Sequence, residues 1–112
     1  MKIDQSIMKA IYDMLRQMPV LRQVGYPPSD EVEFEILPMS DKVMASYTPD
    51  PDVIGICPGR HRFLTSVIKS MIHEMIHMAN HMHGSSYLRH DKNFDSIRKQ
   101  IADALGFDEN EI

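Results

Sequence analysis

The spacing of apolar residues changes twice along the chain, and each change marks a different kind of element. Ile7, Ile11, Met14, Leu15 and Met18 recur at intervals of three and four. That is the stripe of an amphipathic helix over residues 4–18, stopped by Pro19. Gly25, Pro27, Pro28 and Ser29 make residues 20–31 a loop. From Val32 the interval falls to two. Val32, Phe34 and Ile36 alternate with Glu31, Glu33 and Glu35, which predicts a half-buried strand with an acidic outer face, ending at Pro38. Val43, Ala45 and Tyr47 alternate in the same way and predict a second strand. Asp50-Pro51-Asp52 predicts a turn, and Val53–Cys57 a third strand closed by Pro58-Gly59. Gly55, inside that strand, marks a close approach by another chain or a ligand.

From about residue 61 the interval returns to that of a helix. Leu64, Val67, Ile68, Met71, Ile72, Met75, Ile76 and Ala79 form a wide apolar face, expected of a helix through the middle of a small domain. Gly84-Ser85-Ser86 ends it. A last helix is expected from about Asp91 to Leu105, with Phe94, Ile97, Ile101 and Leu105 on one stripe and Gly106 as its cap. Asp108, Glu109 and Glu111 read as a solvated acidic tail. The order predicts one α+β domain over residues 1–112, with about three short strands packed on the central helix between N- and C-terminal helices.

Composition narrows the classes. A chain of 112 residues can bury a core without disulfides, and its single Cys57, read as a small buried apolar residue, excludes an internal disulfide and a Cys-rich zinc ribbon. Sixteen acidic against twelve basic residues give a net charge of −4, which argues against gripping nucleic acid by charge. No apolar run approaches the ~20 residues of a membrane helix. Met1-Lys2-Ile3-Asp4-Gln5 lacks the apolar core of a secretory signal, so no membrane association and an intracellular, cytoplasmic setting are expected. The ten methionines include Met71, Met75 and Met78 at helical spacing, which reads as core filling.

The histidines are what composition leaves unexplained. His73, His77, His81, His83 and His90 fall within eighteen residues. His73-Glu74-Met75-Ile76-His77 reads H-E-x-x-H inside the strongest helical pattern of the chain. Residues four apart lie one above the other on a helix, so two imidazoles can bind one Zn²⁺ while Glu74 takes the proton of a water that the metal polarises. A catalytic site needs a third protein ligand. His83, ten residues after His73, is one candidate, with Asn80 where the metzincin pattern has Gly. His90, across a Gly-Ser loop, is another, and His81 drifts away from the metal on a straight helix. His61 reads as a surface residue. Ser66 and Ser70 share the histidine stripe and read as small packing residues. Tyr87, Arg89 and His83 should border the metal, and Tyr87 is the favoured oxyanion donor. Asp91 and Asp95 are candidates to orient the ligands.

In this arrangement the chain resembles the SprT-like family of zinc metallopeptidases, which includes the Spartan DNA–protein crosslink proteases. The resemblance is carried by the strand Ile54-Gly55-Ile56-Cys57-Pro58 about fifteen residues before the motif, by His73-Glu74-Met75-Ile76-His77, by His90 with Phe94 four positions later, and by the closing helix to Leu105. It implies one Zn²⁺ per chain held by His73, His77 and His90, Glu74 as general base, a zincin-like fold, and a protein or peptide substrate paired along Val53–Cys57 by strand addition. Asp91 departs from the small residue that usually follows the third His, and these residues include no Cys-rich ribbon and no strongly basic tail. The expected function is therefore zinc-dependent hydrolysis of peptide bonds. The alternative is a zinc-stabilised binding module of little turnover, acting on DNA-associated proteins through a partner.

Overall fold

The computed structural model describes residues 2–112; Met1, which opened the N-terminal reading above, lies outside them. Three helices, α1 (Gln5–Leu15), α2 (Leu64–Met82) and α3 (Lys92–Leu105), enclose a three-stranded sheet of β1 (Glu33–Ile36), β2 (Ala45–Thr48) and β3 (Val53–Ile56). The class is α+β, as expected. Among the described residues no helix is long and apolar enough to cross a membrane.

Helix α1 starts at Asp4, whose carboxylate accepts a hydrogen bond from the Ile7 N–H at 2.9 Å. It ends a turn before Pro19, because Gln17 and Met18 tighten into bonds to Met14 and Leu15. Its buried face is Met8, Ile11, Tyr12 and Leu15, while Met14 is 48% exposed. The expected stripe is thus rotated toward Tyr12, whose ring meets Tyr26 and Phe34 edge-on and whose hydroxyl donates to the Pro27 carbonyl at 2.6 Å. A polar tip with a partner lets a tyrosine serve as core.

The sheet is mixed, in the order β1-β3-β2. β1 pairs parallel to β3, with Phe34 opposite Ile54, and β2 pairs antiparallel, with Tyr47 opposite Ile54. Val32 and Phe34 point inward and Glu33 and Glu35 outward, as the alternation predicts. Two positions break it. Ile36 is exposed while Leu37 turns back over Gly55, where a Cβ would lie 2.9 Å from Leu37 Cδ2 and 2.8 Å from Ser46 Oγ. The approach marked by Gly55 is therefore made by side chains of this chain. Val43 is exposed, because Lys42 takes a left-handed conformation (φ 55°) and β2 begins only at Ala45.

The core lies between sheet and helices, with Ile54, Ile56, Met71, Ile72, Met75, Ile76, Met78 and Phe94 fully buried. Helix α2 ends in a Schellman turn. The Ser85 N–H reaches the Asn80 carbonyl (2.8 Å), the Gly84 N–H reaches that of His81 (3.2 Å), and Gly84 has φ +79°. Helix α3 starts on Asp91, whose carboxylate accepts from the Phe94 N–H at 2.9 Å, and ends on left-handed Gly106. The acidic tail is not free. Residues Glu109–Glu111 form a turn that brings Ile112 to 7% exposure and pairs Glu111 with Lys69.

Candidate metal centre

Helix α2 carries His73 and His77 one turn apart, and their Nε2 atoms lie 3.2 Å from each other. His90, just before the first turn of α3, brings its Nε2 to 3.2 Å from that of His77. All three ligand atoms lie within 4.8 Å of one another. The donor set fits a small dication: nitrogens held about 2.05 Å from a tetrahedral zinc lie about 3.3 Å apart. In neutral rings protonated at Nδ1, three lone pairs converge here, an arrangement that a cation relieves. His83 is not part of it. It sits exposed at the end of α2, on a separate shallow cleft with Val20, Asn93 and Ile97. His81 faces Asp50 at 3.8 Å.

Packing holds the rings. The Phe94 ring stacks on His90 with centroids 4.2 Å apart and planes at 13°, and it also meets His73 and His77 at 5.1 and 4.8 Å. Asp91, expected as an orienting carboxylate, instead caps α3 and lies 3.4 Å from the Asn80 amide. Asp95 pairs with Arg98 and does not reach the ligands. Asn80 is fully buried, and its side-chain Oδ1 accepts from the Asn93 amide at 2.6 Å. Its position inside α2 excludes the left-handed turn role suggested by spacing. It ties α2 to the start of α3 and so sets where His90 stands. Tyr26, buried at 7% exposure, donates its hydroxyl to the Met75 carbonyl at 2.6 Å, bracing the motif helix from behind.

Burial sets the electrostatics. Glu74 is 7% exposed, and desolvation pushes its carboxyl up to about 7. Desolvation, then the neighbouring rings of His73 and His90, push His77 down to about 4. His73 is lowered by burial and then by His90. All three shifts favour neutral groups, the state in which imidazoles ligate metals. His77 Nδ1 is buried without a hydrogen-bond partner among the described residues.

A cleft of about 320 Å³ opens beside the histidines, walled by Ser70, His73 and Glu74 on α2, by Met44 and Ala45, and by Glu111 and Ile112. His61 is not a surface residue. It is 7% exposed, with Nδ1 2.7 Å from the Cys57 carbonyl and Nε2 2.7 Å from Ser70 Oγ. Ser70 is therefore a hydrogen-bonded residue and not mere packing. Cys57 is free and buried, as read. The Tyr87 ring packs edge-on against Tyr47 and His81, at 5.9 and 5.8 Å. The expectation that a substrate pairs along Val53–Cys57 fails on topology. β3 is the middle strand, and both its edges are taken. The open edge beside the cleft belongs to β2. Register, with the Cys57 N–H bonded to the Met44 carbonyl at 2.9 Å, turns the N–H and C=O groups of Ala45 and Tyr47 outward.

Comparisons with protein-family models, with curated proteins and with solved structures give no match to this chain.

Proposed function

We propose that this chain is a zinc-dependent peptidase of the SprT-like, zincin type, with His73, His77 and His90 holding one Zn²⁺ and Glu74 as general base. The observation that supports it most is the convergence of three Nε2 atoms beside a buried carboxylate on one helix. When bound, the ion supplies Lewis-acid polarisation of a peptide carbonyl and acidifies water near it. Glu74 takes the proton from the attacking water and returns it to the amine that leaves. A carboxyl near 7 is matched to both transfers, and a dication close by draws it down toward the ionised form. The Tyr87 hydroxyl, the donor favoured from the sequence, is part of the proposal as the oxyanion donor. An extended protein or peptide segment is the substrate, pairing with the outward groups of Ala45 and Tyr47 on β2.

Glu74→Gln is the test. The variant is expected to keep one zinc per chain and to lose about 10²- to 10⁴-fold in cleavage of an unfolded protein. Undiminished proteolysis by a clean preparation sinks the mechanism. One observation favours a second reading, a zinc-stabilised binding module: Glu111 and Ile112 already form a wall of the small cleft. Binding of unfolded or DNA-associated proteins by the zinc-loaded wild type, without cleavage of any, would decide for the module. DNA association is left to a partner, given the net charge of −4.

A further inference from the structure

Ser70 stands on the cleft wall with the buried His61 behind it, 2.7 Å away, and the hydrolytic reading leaves the pair unused. The carbonyl of Cys57 can only accept a hydrogen bond, so the proton of His61 sits on Nδ1. In the neutral ring Nε2 then has only its lone pair to offer, and the Ser70 hydroxyl must donate to it. The one proton of Ser70 is thereby committed, and its oxygen remains as an acceptor. Ser70 is half-buried, lies one turn before His73, and shares the cleft with Glu74. Met44 and Ala45, leading into the open edge of β2, form another part of the same wall.

We infer that Ser70 is a substrate-binding residue, accepting a hydrogen bond from a main-chain N–H of a peptide in the cleft, with His61 fixing the direction of its hydroxyl. This rests on the peptidase reading and names a subsite within it. The chemistry of the wall selects a donor. An N-methylated amide has no proton to offer, and an ester oxygen would set acceptor against acceptor.

The test uses the zinc-loaded protein and a leucyl-alanine hydroxamate, which anchors on the metal, together with analogues N-methylated at each main-chain nitrogen in turn. In the wild type one methylation weakens binding about fivefold more than in Ser70→Ala, the ratio expected for one neutral hydrogen bond. Ser70→Thr retains that penalty because it retains the hydroxyl. His61→Phe reduces it, because the freed hydroxyl can turn its proton into the cleft. Zinc content and melting temperature are measured for each variant, and only those matching the wild type are compared. Equal penalties in wild type and Ser70→Ala at every position overturn the assignment. Failure of the parent hydroxamate to bind the zinc-loaded wild type overturns the peptidase reading, and the subsite with it. That outcome is distinguishable because it does not depend on residue 70.

Discussion

His90 joins His73 and His77 with its ring stacked on Phe94, the aromatic four positions later that helped carry the resemblance. His83 was the nearer candidate in sequence, but the turn at Gly84 leaves it pointing at a different cleft. The prediction at this scale is direct. His90→Ala loses stoichiometric zinc, and His83→Ala keeps it, when both are assayed by metal analysis after dialysis. Zinc loss in His83→Ala alone would move the third ligand. The same scale shows why His61 and Ser70 were misread. His61 lies before α2 and Ser70 is a small polar residue within it, so periodicity alone leaves them on the surface or in packing. Their meeting depends on the chain reversing over Pro58–Arg60, which returns His61 onto the first turns of α2.

The elements hold their positions by a few long-range polar ties, and these can be cut singly. Asn80 links α2, the loop after it and α3. Asn80→Ala leaves the Asn93 amide without its partner, which should cost about 1–3 kcal/mol in urea unfolding and weaken zinc retention, because His90 loses its fixed base. An unchanged zinc affinity in a destabilised variant would separate the two effects and remove Asn80 from the site. Asp13 on α1 accepts from Ser29 Oγ at 2.6 Å and from Arg16 at 2.8 Å, and these bonds, Ser29 first, hold its carboxyl below the usual range. A depressed folded value contributes stability above the unfolded value near 3.9, and that contribution is lost as pH falls through the folded value. Asp13→Asn is therefore less stable than wild type at pH 7, and the gap is smaller at about pH 3, below the unfolded value. Urea melts at the two pH values check it. An equal gap at both assigns the effect to packing. The glycines that end α2 and α3 were legible at this scale, while the capping by Asp91 was not. Asp4, Gly84, Asp91 and Gly106 each act at a helix terminus, because capping uses residues adjacent in sequence.

For the whole molecule, the proposed site would link metal to fold, since two of its histidines lie on the central helix and the third in the loop that leads into α3. Zinc at about 100 times its dissociation constant should stabilise the chain by about 2.7 kcal/mol. That corresponds to a rise of about 10 °C in Tm for a domain of this size. Scanning calorimetry with zinc and with a chelator tests this. No difference, or the same difference in His90→Ala, would mean that the three histidines do not act as one site. The sequence by itself determined the class of the fold, the elements in order, the two histidines and the glutamate on one helical face, and the ends of the later helices. All of these follow from periods of two and 3.6 and from neighbours a few residues apart. Only the tertiary structure decided that Val53–Ile56 is the middle strand and β2 the open edge. It brought His90, the residue the resemblance implied, and not His83 to the motif histidines, folded the acidic tail onto the cleft, and coupled His61 to Ser70. The reason is the same in each case. Strand order, loop return and ring stacking depend on contacts between residues far apart in the chain, and local patterning carries no record of which distant surfaces will meet.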